Sequence, residues 1–290
     1  MLLTGDLGFK IFDEFRQRFP AQFINAGIAE SNMMGVAAGL SFEGKIPFVY
    51  SIATFLTMRP FEHIRNDICF HHTNVKLIGV GGGFSYGPNG ASHHALNDIA
   101  LMRLLPEMTV MAPGDPMEAA CAVDAAFQHR GPVYIRLGRG QDDPVHGGAI
   151  DFALGRAIVM REGKDVGIIC GGLMLKTAVE AADQMQKRGV SVRLVSMPTI
   201  KPLDAAAIAA TLTQCAKIFI IEEHSLIGGL GSAVLECANS LGLSGQNITR
   251  IGIPDATVHE TGSQEYLRQK TGLSMDQIVQ KIWTVLNKKC

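Results

Sequence analysis

A glutamate at the head of a helix of very small residues is the first feature with chemical potential. The segment Phe23–Gly39, FINAGIAESNMMGVAAG, reads as the end of a buried strand followed by a helix that begins at Glu30. Gly35, Ala37, Ala38 and Gly39 leave room for another backbone or helix to come close. A carboxylate there either satisfies the helix N-terminus and its dipole or serves as a general acid/base at a close-packed interface. Pro47–Arg59, PFVYSIATFLTMR, reads as an aromatic-rich strand ending in an arginine. Phe55 is then either core or a flat platform for a heteroaromatic ring.

Gly79–Asp98, GVGGGFSYGPNGASHHALND, places six glycines in twelve residues directly after a strand. Such a loop can bring backbone close to a ligand. It lacks the G-x-G-x-x-G spacing that opens a helix, so a Rossmann dinucleotide site is not expected. His93 and His94 follow at what reads as a helix start. Adjacent helical residues diverge by about 100°, which argues against one metal shared between them. They are surface histidines, or one of them is functional. Val133–Gly140, VYIRLGRG, ends a strand with Arg136 and Arg139, each a phosphate ligand or a structural ion-pair partner. No H-E-x-x-H, Cys/His cluster or P-loop occurs, so no metal site is expected in this chain.

The elements that must position these residues alternate. In the first part MLLTG, PFVYSI, VKLIGV, MTVMAP and VYIRLG read as strands, with helices near Glu30–Ser41, Pro60–His71, Ala95–Leu105 and Pro116–Gln128. The polar, turn-rich Gln141–Ala149 reads as a linker. Beyond it DVGIICGG, SVRLVSM, KIFIIEE and ITRIGIP alternate with helices near Leu173–Arg188, Leu203–Gln214, Gly229–Ser240 and Met275–Leu286. This is an α/β pattern of two mostly parallel-sheet domains with helices on both faces, residues 1–145 and 150–290. The chain opens on a strand with no helix before it, so either a partner covers that sheet face or the true start lies upstream of Met1.

Composition agrees with a globular enzyme. Of 290 residues 47% are hydrophobic, enough for real cores, and 26 basic against 27 acidic residues leave a net charge of −1. That balance gives no footprint for nucleic acid or an anionic membrane. No apolar run reaches membrane-spanning length and no signal peptide is visible. The six scattered cysteines read as reduced thiols, so the expected location is cytoplasmic.

Taken in order, these segments resemble the C-terminal half of transketolase and of 1-deoxy-D-xylulose-5-phosphate synthase. GIAESNMMGVAAGL is similar to GIAEQNMVGIAAGL, RPFEHIRNDICF to RAFDQIRNDICY, and GPNGASHHALNDIALMRLLPEMTVMAPGD to GEDGASHQALEDIALMRAIPNMTVLVPAD. The likeness continues through IIEEHSLIGGLGSAV and IGIPD and covers nearly the whole chain. It implies a pyrimidine-binding domain plus a transketolase C-terminal domain, and thiamine diphosphate as cofactor. The family's diphosphate and Mg²⁺ site uses a GDG motif followed by Asn, and no GDG occurs here; GDL at Gly5–Leu7 is the nearest. The resemblance therefore implies a split enzyme whose N-terminal subunit carries that site, with a homodimer of this chain inside an α₂β₂ assembly. The helix Glu30–Gly39 and the Gly228–Gly231 turn look suited to the subunit packing.

By the same resemblance Glu30 is the catalytic carboxylate that hydrogen-bonds N1′ of the aminopyrimidine and favours its imino tautomer. Phe55 falls where the family stacks a ring on the pyrimidine, and Asp6 matches a cofactor-pocket position. His93 corresponds to a catalytic histidine that contacts sugar hydroxyls or phosphate, and Arg139 to an arginine that binds substrate phosphate. Three positions depart from the pattern. Ile52 stands where many members have a second aromatic in the pyrimidine pocket. Asn89 replaces the Asp of GEDG that contacts a donor hydroxyl. Gly81 stands where many transketolases place a substrate-binding His. The family's first helix of this domain is also missing. The implied reaction is transfer of a two-carbon ketol unit between sugar phosphates. Two alternatives stay open: a synthase-like condensation of pyruvate with an aldehyde, and a non-catalytic subunit that completes an interface. The β-subunit of a 2-oxo-acid dehydrogenase shares the glutamate but fits GASHHALNDIALMR less well.

Overall fold

Strands that are apolar at every position need cover on both faces, and helices between them supply it. The computed structural model describes residues 1–140 and 143–288. The first half runs β1 (Leu2–Thr4), α1 (Asp13–Arg18), β2 (Phe23–Asn25), α2 (Glu30–Phe42), β3 (Phe48–Ile52), α3 (Ala53–Met58), α4 (Phe61–His63), β4 (Lys76–Val80), α5 (Asp98–Leu104), β5 (Thr109–Met111), α6 (Pro116–Gln128) and β6 (Val133–Leu137). The second runs β7 (Ile158–Arg161), β8 (Val166–Cys170), α7 (Leu175–Lys187), β9 (Val192–Ser196), β10 (Thr199–Lys201), α8 (Ala205–Gln214), β11 (Lys217–Ser225), α9 (Leu230–Ser240), β12 (Ile248–Ile253), α10 (Gln264–Thr271) and α11 (Met275–Asn287). Every residue of β4, β8 and β9 is buried.

Among the described residues these strands form a seven-stranded sheet, ordered β10-β5-β6-β4-β3-β1-β2, and a five-stranded sheet, ordered β12-β11-β8-β9-β7. All pairings are parallel except β10 with β5 and β7 with β9. The first sheet therefore ends on a strand from the second half of the chain. Thr199 pairs with Met111 and Lys201 with Val110, and Lys201 Nζ donates to the carbonyls of Arg103 and Leu105 at 3.0 and 2.6 Å. The sequence reading does not include this strand, whose partner β5 lies some ninety residues earlier in the chain.

Several expectations need correction. The apolar run Pro47–Arg59 is not one strand. It turns at Ile52 into α3, where Thr57 Oγ1 donates back to the carbonyl of Ala53 at 2.7 Å. The helix expected over Pro60–His71 is the short α4 followed by a wide π turn at Ile64–Cys69. The strand at Phe23 is a half-exposed edge strand, because β2 has a neighbour on one side only. His93 does not begin a helix. It closes a 3-10 turn at Ala91–His93, and α5 starts at Asp98. At the Gly228–Gly231 turn the glycines allow close approach within the chain: a Cβ at Gly229 would lie 2.0 Å from the Glu222 carboxylate and one at Gly228 2.6 Å from Ala100. Of the expected linker, Gln141 and Asp142 lie outside the described residues. The following stretch is strapped down, with Val145 and His146 N–H groups donating to Asp115 Oδ2 at 2.9 and 3.0 Å.

One face of the first sheet, with Leu2, Phe48, Tyr50, Ile78, Val80 and Leu137, borders a cavity of about 540 Å³. The short α1, which sequence periodicity did not reveal, is preceded by Phe12, whose ring meets Tyr50 edge-on at 4.8 Å.

The glycine-rich loop is fixed by the two halves together. Asp98 Oδ2, at the head of α5, accepts from Tyr134 Oη at 2.6 Å and Arg136 Nε at 2.9 Å. Arg136 Nη2 donates to the carbonyls of Ala95 at 2.7 Å and Glu223 at 3.0 Å, the latter on β11. Asp98 and Arg136 are buried, so each is the other's charge compensation. Asp98→Ala would strand a buried guanidinium, and such losses cost about 3–5 kcal/mol. Urea denaturation should show a fall of that size. A loss below about 1 kcal/mol would mean that the pair does not hold this junction.

Candidate active site

Because β1, β3, β4 and β6 are parallel, their C-terminal ends share one edge of the sheet, the edge where open α/β folds place their sites. Glu30 lies there as the first residue of α2 and is only 3% exposed. Its carboxylate does not cap its own helix. Oε2 accepts from Arg59 Nη1 at 2.8 Å, and Oε1 lies 3.5 Å from the hydroxyl of buried Ser51 at the end of β3. Arg59 ends α3 and lies over the ring of Phe55, with its guanidinium carbon 4.1 Å from the ring centroid. One flat cation thus rests on Phe55 and hydrogen-bonds Glu30.

A chain of rings continues from this point. Phe55 meets the His93 imidazole edge-on at 5.0 Å, and His93 meets Tyr86 at 6.1 Å. Arg139, just past β6, holds its guanidinium 5.2 Å from the centroid of Tyr86. Ser92 Oγ lies 3.0 Å from His93 Nδ1. Burial lowers the His93 pKa, and the neighbouring His94 and Arg59 add to the effect, so the ring is neutral at pH 7.

The other expected residues stand at the margins. Asp6 follows β1 with a positive φ of 58° and is tied to Asn25: its N–H donates to Asn25 Oδ1 and its Oδ1 accepts from Asn25 Nδ2, both at 3.0 Å. Ile52 is buried at the β3–α3 corner. Asn89 is exposed on the 3-10 turn Gly87–Asn89, where its N–H donates to the Tyr86 carbonyl at 2.9 Å. Arg136, open as a phosphate ligand from sequence, is structural and buried against Asp98. The glycines after β4 serve packing inside the chain more than approach to a ligand. A Cβ at Gly83 would meet Glu223 at 2.6 Å and one at Gly87 would meet the Gly262 carbonyl at 2.4 Å. Glu223 also accepts from the Phe84 N–H at 3.1 Å, and Phe84 is fully buried among residues of the second half. Sequence reading missed Arg59, Ser51 and Tyr86. Phe55 and Arg59 are four apart, a same-face spacing that becomes visible only if the segment is read as helix.

Residues 4–142 match the family model "Transketolase, pyrimidine binding domain" and residues 155–278 match "Transketolase, C-terminal domain". The chain belongs to the transketolase family. It is 35% identical over 279 residues to a protein of Clostridium sp. named 6-deoxy-6-sulfo-D-fructose transketolase subunit SqwH, a match that spans 95% of this chain and 84% of that one. It is 35% identical over 270 residues to the 1-deoxy-D-xylulose-5-phosphate synthase of Desulforudis audaxviator, covering 91% of this chain and 42% of the synthase. A solved structure described as "Split gene transketolase, inactive beta4 tetramer" superposes with a TM-score of 0.87 at 39% identity, over 100% of this chain and 92% of that one. Among transketolase relatives, then, this chain matches separately encoded subunits over most of their length and a synthase over less than half.

Arg59 is the residue whose removal exposes this arrangement most directly. Its side chain is 47% exposed, so solvent screens the pair, and Arg59→Ala should lower stability by only about 1 kcal/mol. Urea denaturation of the chain alone measures it. A loss of about 3 kcal/mol or more would show the pair to be structural rather than a replaceable contact.

Proposed function

We propose that this chain is the pyrimidine-binding and C-terminal subunit of a two-chain, thiamine-diphosphate-dependent transketolase that transfers a two-carbon ketol unit between sugar phosphates. The observation that carries this reading is the Arg59 guanidinium. A planar N–H donor lying on Phe55 reaches Glu30 at hydrogen-bonding distance, and an aminopyrimidine ring makes the same two demands. Phe55, Glu30 and the Ile52 corner would hold that ring once Arg59 swings aside, which its half-exposed position allows. The loop carrying Asp6 borders the same corner, since the Gly5 Cβ direction faces Gly27 and Ser51.

When bound, thiamine diphosphate supplies an electron sink for the carbon left behind as a ketose C–C bond breaks. This chain's contribution is proton control and orientation. Glu30 shares a proton with the ring nitrogen N1′, a role that needs a carboxylate because the nitrogen is weakly basic. His93, neutral and beside Phe55, contacts the sugar, and Arg139 takes its phosphate. The reading assigns the diphosphate and its Mg²⁺ to a separate N-terminal subunit, because the sequence carries no GDG motif. Two copies of this chain pair in the assembly, a role suited to the outer face of α2, where a Cβ at Gly35 or Gly39 would meet nothing within 4 Å.

The assembly has a direct test. The chain alone should bind thiamine diphosphate and Mg²⁺ too weakly for calorimetric detection at micromolar concentration, while the mixture with its partner binds. Light scattering of that mixture should give the mass of two copies of each chain. Micromolar binding by the pure chain, or a one-to-one complex, would contradict the reading.

Catalysis rests on Glu30. Glu30→Gln keeps size and hydrogen bonding but cannot share the proton. Hydrogen–deuterium exchange at C2 of the cofactor in the assembled complex should slow by about 10²–10⁴, the usual worth of general acid–base assistance. Exchange at wild-type speed would sink the assignment and favour an interface-completing subunit. Replacing ketose phosphate by pyruvate as donor separates transketolase from the synthase-like reaction.

A further inference from the structure

The part of the site beside Gly81 is built by a ring from five residues further along the chain. Gly81 follows β4 with φ of +83°, a conformation unfavourable to any side chain, and a Cβ there would fall 2.1 Å from Cδ2 and Cε2 of Tyr86. The Tyr86 ring and a side chain at position 81 exclude each other. The same ring carries the Arg139 guanidinium at 5.2 Å and abuts His93 at 6.1 Å. Tyr86 thus couples the arginine to the rest of the ring chain Tyr86–His93–Phe55–Arg59.

We propose that Tyr86 is a specificity-determining residue: it fills the space above Gly81 and holds Arg139 over its face, so that the site selects a phosphorylated ketose donor over a small unphosphorylated one. This rests on the proposed function and names the donor class at that same site. An exposed arginine just past a strand end would otherwise sample many rotamers. Laid on an aromatic face it is pre-organised, and less freedom is lost when it grips a phosphate in a two-pronged fashion. Along the wall itself Tyr86 presents ring carbons in place of a polar side chain. Burial raises its pKa although Arg139 pulls the other way, so the phenol stays neutral at pH 7 and brings no second charge to the phosphate. Discrimination between donors then comes from Arg139 at one end and from shape along the ring.

The test uses the complex with the partner subunit, loaded with thiamine diphosphate and Mg²⁺, and two kinds of donor. One kind is ketose phosphate (fructose 6-phosphate, xylulose 5-phosphate, sedoheptulose 7-phosphate); the other is hydroxypyruvate. The wild-type complex should show the lower KM for a ketose phosphate. Tyr86→Ala should raise KM for that donor about two- to fivefold more than for hydroxypyruvate, the worth of an exposed cation–π contact. Tyr86→Phe, which keeps the ring, should rescue most of the loss. Gly81→Ala should lower the melting temperature more in the wild-type background than beside Tyr86→Ala, because only the first retains the clash. Equal KM changes for both donors, or equal costs of Gly81→Ala in both backgrounds, would overturn the proposal. Transfer from hydroxypyruvate but from none of the ketose phosphates would overturn it too and leave ketol transfer standing. Loss of transfer from every donor in the wild type would instead defeat the functional reading, and this inference with it.

Discussion

The buried guanidinium of Arg136 is the constraint on which the rest of the molecule depends. It is a charge with almost no access to water, so its neighbours must supply acceptors: the Asp98 carboxylate and the carbonyls of Ala95 and Glu223. Those three come from the head of α5, the loop before it and a strand of the other sheet. Satisfying one side chain therefore fixes the exit of the glycine loop and its distance from the second half. Tyr86 and His93 lie within that loop, so the geometry of the ring chain is inherited from a buried salt bridge outside that chain. Glu223 adds a second tie through the Phe84 N–H, and Arg268 and Gln264 in turn neutralise and orient Glu223.

The opposite logic governs Glu30. Its partner Arg59 is half-exposed and rests on a ring rather than in a cage of acceptors, so the pair is satisfied but easily undone. A buried carboxylate with a removable counter-ion is what the proposed exchange of Arg59 for a planar ring requires. The two arginine–carboxylate pairs differ in how many other groups would be left unpaired if they opened. At Arg136 that number is large, and at Arg59 it is small.

Much of this was legible in the sequence, because apolar runs bounded by turns mark buried strands and the longer runs between them mark helices. The start of α2 at Glu30 and the span of α6 are found where the residue pattern puts them. What escaped were features set by distant partners. Phe55 looked like a strand residue because Ala53–Met58 carries no charge or cap that announces a helix. Arg136 and Arg139 are three apart with identical chemistry, and only the position of Asp98 in space makes one structural and leaves the other free over Tyr86. The glycines after β4 suggested room for a ligand, but most of that room is taken by Tyr134, Tyr86, Arg136 and Glu223. The roles of Asp6 and Asn89 follow from the family likeness alone, since neither joins the ring chain.

The short β10 has a consequence for how such chains can be recombined. It lies some fifty residues past the polar stretch that looks like a natural seam, yet it forms an edge of the first sheet and its Lys201 seals the end of α5. A chimaera joined at residue 150 would keep the seam and lose the match at that edge. Exchange of halves between relatives is therefore governed by Thr199–Lys201 and the residues facing it on β5, and a workable breakpoint must carry them together.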